Sequence, residues 1–269
     1  MTGFTGLCRI GATTPAERHR RRYISETHMR LHHYLNFGKI KGIVGILWHM
    51  YGIKAPAVIV SRLCTYGWCR LFRSGKTFLF DGCRYSYVYN LQNATFRNER
   101  AVEIPIALTK FPLQGDVLEV GNVLSQYMKF PHDVVDKYEQ DVQVQNVDIV
   151  EYCPNKQYDL VISISTFEHV GWDEIPKEPA KVVRAVQQVK SLLKPAGRLL
   201  VTVPTGYNEF LDACLRTNSL GFSRVLYMKR TSRANDWEEA TCEEALARKY
   251  GSIYPCANAI AVCMFKNHA

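Results

Sequence analysis

A glycine standing directly after a short apolar run constrains this chain more than any other feature. Residues 115–136 are GDVLEVGNVLSQYMKFPHDVVD, and within them 116–120 (DVLEV) is closed by Gly121. That is the pattern of a buried parallel strand ending in a sharp turn. Gly121 would let the backbone come close to a ligand there. Glu119 lies at the carboxyl end of the strand, the end at which open α/β sheets bind ligands. Residues 122–129 are expected to start a helix, with Asn122 or Ser125 as its cap. The next strand, DVV, ends in Asp136. An acid roughly 20 positions after the first turn is the usual partner of a ribose hydroxyl pair. Together these describe half of a mononucleotide-binding fold.

The pattern continues as βαβ from residue 147. DIV is expected as a short strand and YDLVISIS as a buried one. Residues 175–193 are expected as a helix, with Val182, Val183, Ala185, Val186, Val189 and Leu192 on its inner face. Pro195, Ala196 and Gly197 would end it before the strand RLLVTVP. TGYNEFLDACL starts a further helix. RVLYMKR and NAIAVCMFK close the sheet as an antiparallel pair. The insertion between them, 231–257, carries an expected helix, DWEEATCEEALARKYG, and would begin on the ligand face.

VLEVGNVLSQY resembles motif I of the class I S-adenosylmethionine-dependent methyltransferases, a strand ending in Glu/Asp-x-Gly-x-Gly. NVDIVEY, YDLVISISTFEHVGWDE and SLLKPAGRLLVTVP resemble the family's later segments, in family order and spacing. The resemblance covers residues 95–269. It implies a doubly wound, mostly parallel seven-stranded α/β sheet, with S-adenosylmethionine as cofactor. The chain departs from the family where Val123 and Ser125 replace the second and third glycines. The resemblance further implies that Glu119 faces the methionine end and Gly121 and Asn122 approach the cofactor. Asp136 would hold the ribose, Asp148 and Ile149 would cover the adenine, and Ser163 would lie beside them.

The 269 residues suffice for one domain with elaborations. Net charge is +9, but residues 1–100 hold 16 Lys/Arg against 4 Asp/Glu, and the remainder is slightly acidic. Such a basic end suggests an anionic surface or a solvated tail. Residues 1–28, with ERHRRR, form an expected mobile tail without the apolar stretch of a signal peptide. Met29 is an alternative start. Residues 29–94 form an expected helical and hairpin extension. Ile40, Ile43, Val44, Leu47, Met50 and Tyr51 repeat at helical spacing, and AVIVSRLC follows Pro56. Neither stretch reaches the ~20 residues that span a bilayer. Set among basic residues and Trp48 and Trp68, they suit a membrane interface or a packed helical subdomain. TFLFDGCRYSYVYNLQ reads as a hairpin turning at Asp81 and Gly82. Nine cysteines without a C-x-x-C pair or zinc spacing indicate a reducing, cytoplasmic setting and no metal site.

Methyl transfer asks the protein to position donor and acceptor and to remove a proton from a hydroxyl acceptor. His169, with Glu168 beside it, follows the fourth-strand motif and suits a general base; a structural role is the alternative. Asn98, Glu99 and Arg100 interrupt an apolar segment just before motif I. Tyr207 and Asn208 follow the fifth strand. Arg233, Asn235 and Trp237 open the insertion, where Asn235 could equally cap its helix. Trp stacking, amide hydrogen bonds and guanidinium pairing suit a sugar or small anionic acceptor. No Asn-Pro-Pro-Tyr or Pro-Cys motif points to nucleic acid. Two functions follow: an O-methyltransferase acting on a small molecule or glycan, or a binding module that keeps the fold without turnover.

Overall fold

The structure, a computed structural model, describes residues 48–49, 52–111 and 113–268. The basic tail 1–28, the alternative start at Met29 and the repeat 39–51 apart from Trp48 and His49 lie outside the described residues. Helix α1 spans Ala55–Phe72, with Pro56 in its first turn, where no intrahelical N–H bond is lost. Strands β1 (Thr77–Phe80) and β2 (Cys83–Ser86) form the expected hairpin. Asp81 (φ 50°) and Gly82 (φ 68°) both take the left-handed conformation that matches a two-residue turn to strand twist. Helix α2, Arg100–Lys110, is buried almost throughout although it contains Pro105. Proline has no N–H for the carbonyl four residues earlier. That carbonyl, on Ala101, instead accepts from the Val88 backbone at 3.0 Å, which ties the helix to the chain leaving the hairpin.

The main sheet contains β3 (Val117–Val120), β4 (Asp133–Val135), β5 (Val144–Gln145), β6 (Tyr158–Ile164), β7 (Leu193–Pro204), β8 (Arg224–Arg230), β9 (Trp237–Ala240) and β10 (Ala259–Lys266). Their order is β5-β4-β3-β6-β7-β10-β8-β9. Strands β5 to β7 are parallel, and β10 inserts antiparallel between β7 and β8. Six of the seven expected strands, with β5 in place of the seventh, thus stand in the doubly wound order that the resemblance implied, and β9 adds an eighth at one edge. The chain runs outward from β3 through β4 to β5, then returns across β3 to β6. The carboxyl ends of β3 and β6 therefore diverge and leave a crevice there. Helices α3 (Lys181–Ser191) and α4 (Glu209–Thr217) supply Val182, Val186, Val189, Leu211 and Leu215 to a core shared with Val161, Leu199 and Val201.

Several local expectations are corrected. Residues 122–129 form no helix, only a 3-10 turn at Leu124–Gln126. The residues DIV lie in a 3-10 turn, Ile149–Glu151, and the short strand there is β5. Helix α3 starts at Lys181, not 175, because the preceding residues fold back on Gly171, whose carbonyl accepts from the Glu178 backbone at 2.7 Å. Pro195 to Gly197 lie inside β7, where Ala196 and Gly197 exchange backbone hydrogen bonds with Asn267. The insertion opens with β9 rather than a helix. Its helix is α5 (Cys242–Leu246), closed at its start by a reciprocal capping box between Thr241 and Glu244.

Candidate active site

The loop leaving β3 is held from beneath by Glu119. That carboxylate is fully buried. One oxygen accepts from the backbone N–H groups of Val123 (2.7 Å) and Leu124 (2.5 Å), and the other meets His132 Nε2 at 2.8 Å. These three bonds hold the carboxylate beneath the loop, so Glu119 braces the loop and does not line the cavity, contrary to its expected place at the methionine end. They also account for the missing glycines. Val123 has φ −106°, a conformation open to any residue, whereas Gly121 has φ +86°. A side chain at Gly121 would meet Thr166 Oγ1 at 2.1 Å.

Beyond the carboxyl ends of β3, β4 and β6 lies a cavity of about 460 Å³, within the size range of small-molecule sites. Gly121, Asn122, Asp136, Asp148 and Ile149 line it, as do Arg100 and His169. Asp136 is fixed by its own turn: Oδ1 accepts from the backbones of Tyr138 and Glu139, each at 2.8 Å. Asn122 reaches Glu139 Oε1 at 2.9 Å across the cavity wall. Asp148 caps the turn Ile149–Glu151 through Oδ1. Its Oδ2 lies in an ion-pair network with Lys137 and Lys181, which Glu174 shares. Burial pushes the Asp148 carboxyl up, but the two lysines outweigh it and hold the group below its ordinary value. Its charge is thus already matched by lysines before any ligand is considered.

The turn after β6 carries His169 and Glu168. His169 Nδ1 lies 2.5 Å from Asp173 Oδ2, and Tyr207 donates to the same oxygen at 2.7 Å. Asp173 therefore fixes the orientation of the imidazole, whose Nε2 is 3.5 Å from Glu168 Oε1. Glu168 is buried, and its Oε2 has no hydrogen-bond partner. Burial pushes its carboxyl well above the ordinary glutamate range, with only partial relief from Arg100. Arg100 pairs with Glu103 at 2.9 Å, and Glu103 accepts from Ser165 Oγ at 2.7 Å, joining α2 to this turn.

The structure separates the other expected site residues. Ser163 is fully buried and donates to the Val120 carbonyl at 2.8 Å, away from the cavity; Ser165 and Thr166 take the lining position instead. Asn208 caps α4 through Oδ1 and donates to the Glu168 carbonyl at 2.9 Å, so both ends of its amide are used. Asn98 folds onto its own turn through Asn93, and Glu99 accepts from the Ala257 backbone at 3.1 Å. Neither lines the cavity. Arg233 is exposed, while Asn235 and Trp237 are buried at the β9 edge, with Asn235 bonded to the carbonyls of Thr95 and Asn98 and to the Trp237 indole. Asn235 caps no helix. The part of the insertion that approaches His169 is Tyr250, whose ring meets Tyr207 edge-on at 5.1 Å. It is brought there by Gly206, whose carbonyl accepts from the Tyr250 backbone at 3.2 Å. Asp173, Thr166, Glu139 and Tyr250 escaped the sequence reading. Only Asp173 left a trace, four residues after His169 at the spacing of a local pair.

No known protein-family pattern matches the chain, and no curated protein matches it. Solved structures are similar at the level of coordinates. One is the N-methyltransferase NodS from Bradyrhizobium japonicum with S-adenosyl-L-homocysteine, at 11% identity and TM-score 0.38, over 61% of this chain and 83% of that one. Another is a SAM-dependent methyltransferase from Archaeoglobus fulgidus, at 16% identity and TM-score 0.37, over 56% and 86%. A third is the 1,6-didemethyltoxoflavin-N1-methyltransferase from Burkholderia thailandensis, at 14% identity and TM-score 0.37, over 61% and 76%.

Proposed function

We propose that this chain, whose sheet has the class I methyltransferase strand order, is an S-adenosylmethionine-dependent methyltransferase acting on a hydroxyl of a small molecule or glycan. The observation that carries the reading is the Asp173–His169 pair at the wall of a cavity that opens at the carboxyl ends of β3, β4 and β6. The cavity suits the cofactor by its chemistry. Asp136 has a carboxylate oxygen left for a ribose hydroxyl, and Val147 and Ile149 offer an apolar wall for a purine. Gly121 brings its backbone to the cavity wall. When bound, S-adenosylmethionine supplies an electrophilic methyl group on its sulfonium. Asp173 holds Nδ1 of His169, so that Nε2 can take the acceptor proton. Glu119 keeps the loop around Gly121 in one shape. Tyr207 and Tyr250 form an aromatic side to the acceptor region.

The test is titration calorimetry with S-adenosylmethionine and S-adenosylhomocysteine. Both should bind, and Asp136→Ala should weaken binding by about 1–3 kcal/mol, the range for leaving a buried polar group unpaired. Absence of heat at millimolar cofactor would reject the reading. A binding module without turnover is the second reading, favoured by a motif I loop whose N–H groups at Val123 and Leu124 are spent on Glu119. It predicts cofactor binding with no methyl transfer to a panel of hydroxylated acceptors.

A further inference from the structure

Helix α1 buries only Ala55 and Cys69 among its 18 residues. A helix on a globular body ordinarily turns its apolar stripe to the core. Here apolar side chains also face out. Ile53, just before the helix, is 91% exposed, Leu71 77%, Phe72 74%, Val60 58% and Leu63 51%. Val60 and Leu71, eleven residues apart, share one line of the helix, with Leu63 to one side and Phe72 to the other. The helix is nevertheless fastened. Arg73, at its end, is buried and meets Asp236 at 2.5 Å and the Tyr89 hydroxyl at 3.2 Å. The Tyr66 ring packs against Phe96 at 6.0 Å. The outward face is therefore presented by a helix anchored from behind.

We propose that this face seats the protein on an anionic lipid surface, with α1 lying in the plane of the interface. Charge identifies the occupant. Between residues 48 and 80 there is no Asp or Glu, while Lys54, Arg62, Arg70, Arg73 and Lys76 are basic. Asp236 offsets one of these charges, at Arg73 and Lys76, and the stretch keeps a positive balance. A second copy would set two such basic faces against each other, and an acidic peptide would leave the apolar side chains unmatched. An anionic bilayer offers both an acyl layer for Leu71 and Phe72 and headgroups for the basic residues. No helix among the described residues is long and apolar enough to cross a membrane, so the association is peripheral. This inference does not depend on the catalytic reading.

Sedimentation of the full chain with phosphatidylcholine vesicles, with and without phosphatidylserine, tests it. Binding should need phosphatidylserine and fall as salt is raised. Leu71→Glu with Phe72→Glu should lower the partition coefficient about tenfold or more, since two apolar groups would be kept from the acyl layer. Both residues are exposed, so the melting temperature should hold. Ile53→Glu, outside the helix, is the second variant and should act in the same direction. Equal binding to neutral and anionic vesicles, no binding, or unchanged binding by the variants would overturn the proposal. So would a dimer in light scattering that Leu71→Glu with Phe72→Glu converts to monomer, because the face would then belong to a second copy.

Discussion

Gly121 and His169 represent two kinds of demand a site makes on a residue. Gly121 is required by backbone and space together: φ is +86°, and Thr166 fills the place of a side chain. Gly121→Ala should cost about 2–4 kcal/mol of stability, of which roughly 1–2 is the left-handed conformation itself. Thr166→Ala in that background removes the hydroxyl and methyl responsible for the collision, so chemical denaturation should recover part of the loss but not all. Under the proposed function, His169 is required by chemistry. His169→Ala should lower turnover by about 10²–10⁴-fold with little change in cofactor affinity, because the proton is removed only on the way to the transition state. If the imidazole merely props the turn, the variant should instead melt earlier at unchanged kcat. Asp173→Asn should give a smaller fall in kcat, since it loosens the ring without removing it.

At the scale of elements, the entry to β9 meets the end of α1 through the carboxylate of Asp236, which pairs with both Arg73 and Lys76. Burial pushes the Asp236 carboxyl up, but hydrogen bonds from Lys76, Ser232 and Arg73 outweigh it and bring it down to about 2. A carboxylate held below its unfolded value stabilises the fold fully above that value and loses the contribution as pH falls through the folded one. The window here runs from about pH 4 down to about pH 2. Discounted for solvent screening, the contribution is about 1 kcal/mol. Asp236→Asn should therefore be less stable than the parent at pH 7, with the difference shrinking through this window, as thermal melts at stepped pH would read. Loss of the contact should also raise hydrogen exchange in the last turn of α1, where Arg73 is anchored. An exchange pattern unchanged there would mean that Trp68 and Tyr66 hold the helix without the ion pair.

For the molecule as a whole, the cofactor is expected to act on global stability, because the cavity is built from the ends of three strands of one sheet. A ligand that binds only the folded chain stabilises it by about 2.7 kcal/mol at a hundredfold excess over Kd. The melting temperature should rise continuously with S-adenosylhomocysteine concentration. Asp136→Ala should keep the parent's unliganded melting temperature and lose most of the increment. A variant that melts early without ligand would show Asp136 to be a turn residue first, through its bonds to Tyr138 and Glu139. Charge is also organised at this scale. The positive balance sits in the first hundred residues, and residues 101–269 are slightly acidic.

The strands were legible because a strand buried on both faces must be a mainly apolar run, and VLEV and YDLVISI in the parallel part of the sheet and AIAVCMF in the antiparallel part are such runs whatever surrounds them. Gly121 and the Asp81–Gly82 turn were legible because a positive φ restricts residue type locally. What the chain order could not reveal is where a polar or aromatic side chain spends its hydrogen bonds. Asn235 and Trp237 look like a sugar-binding pair until Thr95 and Asn98, some 140 residues earlier, take the amide. Glu119 looks like a ligand contact until Val123, Leu124 and His132 occupy it. Tyr250 looks like nothing until Gly206 draws its backbone to the end of β7. The outward side of α1 belongs to the same class, since a helical apolar period is identical whether a core or a bilayer receives it. Local sterics and burial period determined the sheet and its turns; only the tertiary arrangement decided which polar groups remain unspent, because a hydrogen bond between distant segments has no signature in either segment alone.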